Sequence, residues 1–183
     1  VYHSNPVDAD AIGEMVQRHR ATILFSTPTF LQAYIRKCTR EQFASLRLII
    51  TGAEKLRTAI AQKFTEKFGP FPVEGYGCTE LSPVVSVNVP LLGQDAGKLC
   101  GREGSVGQPM PGVTVKTVSP DSGEILDEEE EGLLLIKGPN VMQGYLEDPD
   151  RTAEVLKDGW YNTGDIGKID RDGYIFITGR LSR

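Results

Sequence analysis

Cysteine is scarce in this chain and unpaired by spacing. Cys38, Cys78 and Cys100 are the only three in 183 residues, and no two form a CxxC. That excludes a disulfide scaffold and the usual zinc-ribbon and redox motifs. A reducing, cytoplasmic setting is the expectation. Histidine is nearly missing too: His3 and His19 stand alone, so no histidine acid–base dyad can be built, and both read as surface residues. No apolar run approaches the roughly 20 residues that cross a bilayer, and no signal peptide is visible. Positive charge is not in excess. A formal net charge of -5 argues against nucleic acid as a partner. The acidic run at 127–131 reads as a solvated loop.

What is present is an ordinary globular balance, 39% hydrophobic and 25% charged, in a chain long enough for one domain or two small subdomains. Residues 6–20 read as a helix, with Pro6 in the first turn, Asp8 and Asp10 at its positive end, and Ile12, Met15 and Val16 sharing a face. "ATILFS" at 21–26 reads as a buried strand. Residues 27–38 restart a helix with Thr27 as cap and Pro28 at the first position. The unit repeats: a strand at 46–53, an amphipathic helix at 55–69 stopped by Gly69 and Pro70, and a strand at 71–77. Strands alternating with helices predict a mostly parallel sheet, so the chain is expected to open with an α/β subdomain over residues 1–100. From residue 101 the runs are short, apolar and punctuated by Gly, Pro and Asp, with one helix over 148–159. A β-rich subdomain is expected over 101–183. "LLLI" at 133–136 reads as a buried strand.

In such sheets ligands sit at the carboxyl ends of strands. Two loops leave those ends. "TGAEKL" at 51–56 offers Gly52, where bare backbone can approach a flat ligand. "GYGCTE" at 75–80 offers a ring at Tyr76 that can stack on a base, a hydroxyl at Thr79 for a phosphate oxygen, and a carboxylate at Glu80 for a hard cation such as Mg²⁺. Ordinary strand-end turns, with a core tyrosine and a surface glutamate, remain the plain alternative. "DGWYNTGDIG" at 158–167 reads as a turn whose Asp165 can accept both hydroxyls of a ribose, or act as a local turn cap. Trp160 and Tyr161 are expected to pack that turn. Arg180, after a strand and a glycine, can fork onto ribose or phosphate, or be a solvated charge. Phe25, Pro28 and Phe30 are candidates for an acyl pocket or for the core, and Cys78 for a small packing residue rather than a nucleophile.

The stretches "FSTPTF", "TGAEKL", "GYGCTE", "GLLLIKGPNVMQGYLEDPDRT", "DGWYNTGD" and "GYIFITGRLSR" follow one another in that order. In this order they resemble the adenylate-forming superfamily: acyl-CoA and acyl-carrier-protein synthetases, peptide-synthetase adenylation domains and firefly-type luciferases. The wording around "YGCTELSPVVSVN" is most similar to the acyl-carrier-protein synthetase or acylglycerophosphoethanolamine acyltransferase branch. The resemblance covers essentially the whole chain and implies an ATP-dependent acid–thiol ligase. Such an enzyme activates a carboxylate, here expected to be a fatty acid, as an acyl-adenylate with release of pyrophosphate. It then passes the acyl group to coenzyme A or a carrier-protein phosphopantetheine. A fold-retaining but catalytically silent nucleotide- or acyl-binding module is the rival expectation.

The resemblance also implies roles. Gly52, Ala53 and Glu54 would lie beside the adenine and acyl pocket; Tyr76, flanked by Gly75 and Gly77, would stack on adenine. Thr79 would touch the α-phosphate and Glu80 would hold Mg²⁺, the two catalytic positions. Asp165 and Arg180 would hold the ribose, and Ile177 would line the nucleotide pocket. The β-rich part would be the distorted barrel that ends the family's large N-terminal domain. The chain opens "VYHSNP" and ends "GRLSR", and it is expected to be a piece of a longer protein, cytoplasmic or membrane-associated. The family's phosphate loop and C-terminal lysine domain fall outside these residues, with Ser182 and Arg183 near the hinge. Loss of one charge-stabilising donor typically costs about two to three orders of magnitude in rate, so the piece alone is expected to be inactive.

Overall fold

A computed structural model describes residues 1–88 and 101–181. Cys100, Ser182 and Arg183, named above, lie outside the described residues. The chain forms two compact units, Val1–Glu74 with Asn88–Gly104, and Gly75–Val87 with Ser105–Arg183.

The first unit follows from local signals. Helix α1 (Ala9–His19) begins where the Asp8 carboxylate accepts the Ala11 amide at 3.1 Å. This satisfies one of the donors a helix start leaves unpaired. Strand β1 (Ile23–Ser26) leads to α2 (Pro28–Lys37), capped by Thr27 with Pro28 in its first turn. Strand β2 (Leu48–Thr51) leads to α3 (Thr58–Phe68), which ends at Gly69 with φ 103°. Strands β1 and β2 pair in parallel, and β2 pairs in parallel with Val73 and Glu74, the opening residues of β3 (Val73–Gly77). The expected α/β layering is therefore present. The apolar faces of the three helices meet β2 in a core that includes Leu31, Tyr34, Phe43, Ile49, Phe64 and Phe68. Phe68 stacks within 4.7 Å of Phe43 and 4.8 Å of Phe64. The expected buried strand at 21–26 differs. Its neighbour is β2 on one side, and Ile23 and Phe25 stand 51% and 72% exposed. Phe25 is thus not in this core, whereas Pro28 is buried and Phe30 packs against it.

Glu74 is tied into this unit by accepting the Leu56 amide at 3.0 Å. Burial raises its pKa, and the Leu56 bond and Lys55 offset this only in part. A carboxyl raised above its unfolded value contributes stability that is fully present below that value and lost as pH rises through the folded one. Glu74→Gln keeps an acceptor for Leu56. It is expected to flatten the loss of thermal stability between about pH 4 and pH 7, read from melting temperatures of the two proteins at both ends.

In the second unit, residues 75–77 of β3 pair antiparallel with β4 (Val84–Val87), and β4 pairs with β5 (Gln108–Pro109). This pairing is why residues 75–87 group with the later chain, unlike the expected division at residue 100. A second, antiparallel sheet has the order β10–β9–β7–β6, built from β6 (Thr114–Val118), β7 (Gly132–Lys137), β9 (Trp160–Ile169) and β10 (Ile175–Arg180). Short α4 (Pro149–Val155), capped by Asp148, runs into β8 (Leu156–Lys157), which pairs with β9. Leu134, Ile136 and Ile175 are fully buried in this core with Leu81 and Val85. The expected buried strand at 133–136 is therefore present, and the run at 127–131 is exposed as expected. No helix among the described residues is long and apolar enough to cross a membrane.

One expectation is overturned here. Residues 158–167 turn only at Asp158 and Gly159, between β8 and β9; from Trp160 onward they form most of ten-residue β9. Their Gly and Asp content signalled a turn locally, but partners on both sides, β7 and β10, hold the segment extended. Gly167 is the glycine this close pairing needs, because a Cβ there would lie 2.5 Å from the Phe176 carbonyl oxygen.

Candidate nucleotide site

The second unit brings several expected residues together. After β3 the chain makes a single 3₁₀ turn, Thr79–Leu81, closed by Ser82 in a left-handed conformation. The Met142 amide donates to the Glu80 carbonyl at 2.8 Å. The Asn140 side-chain amide donates to the Leu81 and Val84 carbonyls at 2.9 and 3.1 Å. The turn is thereby fixed against the loop that carries Tyr145.

Tyr76 and Asp165 are 89 positions apart, yet the Tyr76 hydroxyl donates to Asp165 Oδ2 at 2.5 Å. Burial, and then the bond to Asp165, push the Tyr76 phenol well above the ordinary tyrosine range. It stays protonated and can only donate to the carboxylate. Asp165 is aimed from the other side as well: its amide donates to Thr163 Oγ1 at 3.0 Å, and Thr163 Oγ1 donates to the Leu134 carbonyl at 2.9 Å. Arg180 faces Asp165 across the β9–β10 ladder, with Nε 3.6 Å from Oδ1. That is too long for a hydrogen bond. With about four lone-pair sites on a carboxylate, Asp165 keeps acceptor capacity on Oδ1 after satisfying Tyr76. The three groups are a half-buried donor, a largely buried anion and an exposed cation.

Glu80 heads a second cluster. Tyr145 donates to its Oε1 at 2.8 Å. Burial raises the Glu80 pKa, but its own backbone amide and the side chains of Tyr145, Cys78 and Tyr161 outweigh that, and the net shift is downward. Glu80 is therefore an ionised oxygen donor, which suits a hard cation. Among the described residues no group of three or more His, Cys, Asp or Glu could hold a metal by itself. A cation at Glu80 must draw its other ligands from phosphate or water, as Mg²⁺ commonly does. Cys78 is half-buried with its thiol pushed up to about 11 by burial and by Glu80. It is a packing residue, as expected, and not a nucleophile. Sequence reasoning missed Tyr145 and gave Tyr161 only a packing role. "QGYLEDPDRT" offered Tyr145 as a motif position, but its reach to Glu80, 65 positions away, has no local signal.

A cleft of about 700 Å³ is lined by Glu80, Tyr145, Arg151, Tyr161, residues 162–164 and Arg180, among others. Of the expected site residues, only Glu80 and Arg180 are in its wall. Thr79 is exposed at the start of the turn, and Gly75 and Gly77 flank Tyr76 in β3. Ile177 is half-buried and packs against the second core, as Tyr76 and Cys78 do, and does not line the cleft. Gly52, Ala53 and Glu54 belong to the first unit, just past β2. There the Gly52 amide donates to the Ser26 carbonyl at 3.3 Å, and Glu54 Oε2 accepts from Thr29 Oγ1 at 2.6 Å. The left-handed residue of that loop is Ala53, with φ 67°, not Gly52. A non-glycine held there costs of the order of 1 kcal/mol or more, a strain that clusters at functional loops.

Tyr145→Phe removes one donor from Glu80. The expected cost is about 1 kcal/mol, with the Glu80 titration, followed by NMR, moving up. A depressed carboxyl contributes stability that is present above its unfolded pKa and lost as pH falls through the folded one. The variant's deficit should accordingly be full at neutral pH and vanish in acid.

The geometry has relatives. The AMP-binding enzyme family matches residues 1–146. The chain is 34% identical over 97% of its length to a long-chain-fatty-acid–CoA ligase of Salmonella typhimurium, covering 30% of that protein. It is 35% identical over 95% of its length to a feruloyl-CoA synthase of an Amycolatopsis species, covering 34%. The crystal structure of ATP-bound MatB from Rhodopseudomonas palustris superposes with a TM-score of 0.79 at 34% identity, over 94% of this chain and 33% of MatB. The chain thus spans about a third of the length of the relatives it matches. With a family match over most of its residues and an adenylate-forming fold in both its units, this chain belongs to the AMP-binding enzyme family.

Proposed function

We propose that this chain supplies the adenosine-binding wall of an ATP-dependent acid–thiol ligase. The observation that carries the reading is the Tyr76–Asp165 hydrogen bond, which joins the expected base-stacking ring to the expected ribose acceptor. In this reading the Tyr76 ring lies against adenine, Asp165 accepts from the ribose hydroxyls, and Arg180 adds a second ribose contact. Thr79 meets the α-phosphate. Glu80 holds Mg²⁺, which when bound neutralises charge on the phosphates.

The reaction joins a carboxylate to AMP, releases pyrophosphate, and moves the acyl group to a thiol. Its transition state gathers negative charge at the α-phosphate, so the protein's part is positioning and fixed electrostatics. The coenzyme A ligases among the relatives support coenzyme A as acceptor and a fatty or aryl acid as substrate. A carrier-protein thiol as acceptor is the finer alternative that the sequence left open beside coenzyme A. The setting is cytoplasmic, and turnover is the work of the full-length protein and not of these residues alone.

The test is ATP–pyrophosphate exchange by the full-length protein with a panel of fatty and aryl carboxylates. Exchange that depends on one class of acid supports the ligase. Intact adenosine binding without exchange for any acid would replace it with the silent binding module.

A further inference from the structure

Arg151 is placed to act on a ligand, although no sequence signal singled it out. It lies at the start of α4, where its amide is held by the Asp148 side chain at 3.0 Å. Its guanidinium carbon sits over the Tyr145 ring, 4.7 Å from its centre, within the range of a cation–π contact. Tyr145 in turn donates to Glu80. Arg151, Tyr145 and Glu80 all line the cleft that Arg180 borders from the Asp165 side. The two arginines differ. Arg180 stands beside a carboxylate, whereas among the described residues Arg151 has no carboxylate within 4 Å. A cation held by a ring, in a cleft with an ionised glutamate and without an ion-pair partner among the described residues, is suited to an anion that arrives with the ligand.

We propose that Arg151 contacts the phosphate chain of the nucleotide beyond the α-phosphate, the part that leaves as pyrophosphate. This rests on the proposed nucleotide reading, with the ribose at Asp165. Along the cleft, Arg180 marks the ribose end; Glu80 and Arg151 mark the polyphosphate end. Arg151 forks onto β- or γ-phosphate oxygens while Tyr145 holds it in place. AMP, which ends at the α-phosphate, does not reach it.

The test is calorimetry on the full chain with AMP, ATP and inorganic pyrophosphate, for the wild type, Arg151→Gln and Arg151→Lys. One exposed, charge-assisted contact is expected to change affinity by roughly tenfold. Arg151→Gln should therefore weaken ATP and pyrophosphate by about that factor and AMP by less than twofold, and Arg151→Lys should keep part of the difference. In the wild type, ATP affinity should fall more steeply with added salt than AMP affinity, a readout that needs no variant to fold. Equal losses for AMP and ATP would mean that Arg151 only props Tyr145, and no loss for either would mean that it faces solvent; both overturn the proposal while leaving the nucleotide reading intact. A wild-type chain that binds neither AMP nor ATP overturns the reading itself and this proposal with it.

Discussion

Asp165→Ala should weaken AMP binding by about 1.5–3 kcal/mol, the range for a hydrogen bond to a charged group, or roughly tenfold to more than a hundredfold in Kd. Two effects add. The ribose hydroxyls lose a carboxylate acceptor, and the half-buried Tyr76 hydroxyl, donating to Oδ2 at 2.5 Å, loses its partner. An orphaned donor costs the free chain as well as the bound one, so it acts on affinity through the ring it leaves loose. The ring that would meet adenine is then released from the group that would meet ribose. Asp165→Asn is the informative companion. It keeps an acceptor oxygen for Tyr76 but not the charge, so it should fall between wild type and Ala. Isothermal calorimetry separates the three. Equal affinity in all of them would mean that Asp165 is only a structural cap for the Tyr76 hydroxyl.

Gly77→Ala is the second large effect, and its cause lies in the fold. A Cβ at Gly77 would stand 1.7 Å from the Pro83 carbonyl oxygen and 2.8 Å from its carbon. Those are backbone atoms of the chain entering β4, so no side chain can swing aside. The β3–β4 pairing already shifts register between Tyr76 and Gly77, and the added methyl must push the strands apart there. Overpacking of this kind costs typically 1–3 kcal/mol, and with only backbone atoms of Pro83 and Val84 in the way a loss of roughly 3 kcal/mol is expected. Displacing β3 also moves Tyr76 away from Asp165. Gly77→Ala should therefore lower the urea midpoint and weaken AMP binding together. Gly179→Ala is the control: its nearest atom is Ile166 Cβ at 4.0 Å, and a surface change of this kind should stay within about 0.5 kcal/mol. A Gly77→Ala protein of wild-type stability would mean that the strands separate at little cost.

That glycine shows what the sequence could and could not convey. Gly75 and Gly77 read as the flanks of a stacking ring, yet Gly77 is required by Pro83, six residues on. The helices of the first unit were legible because their signals are local. Asp8 and Thr27 cap α1 and α2 through contacts three residues long, and Gly69 ends α3. Strand β9 was illegible because "DGWYNTGDIG" has the composition of a turn. Only pairing with β7 and β10, distant in sequence, makes it a strand. The exposed side of β1 was hidden for a related reason, since "ATILFS" reads as core and its burial depends on what lies beside it. At the site, the residue types at Tyr76, Glu80, Asp165 and Arg180 could be read, because each carries a distinct chemistry. Their meetings could not: Tyr145 on Glu80 and Arg151 on Tyr145 exist only in three dimensions.

Strain tells the same story from the other loop. Ala53 holds a left-handed backbone beside Gly52, which was read only as bare backbone for a flat ligand. The cost falls on a residue whose small side chain tolerates it, in a loop whose Glu54 is anchored by Thr29.

The most direct measurement compares the affinities of this chain for AMP and for 2′,3′-dideoxy-AMP, which share base and phosphate but differ in the hydroxyls offered to Asp165. If a phenol-anchored aspartate grips the ribose, the dideoxy nucleotide should bind at least about tenfold more weakly, and Asp165→Ala should erase that gap. Identical affinities for the two nucleotides in the wild-type chain would contradict it.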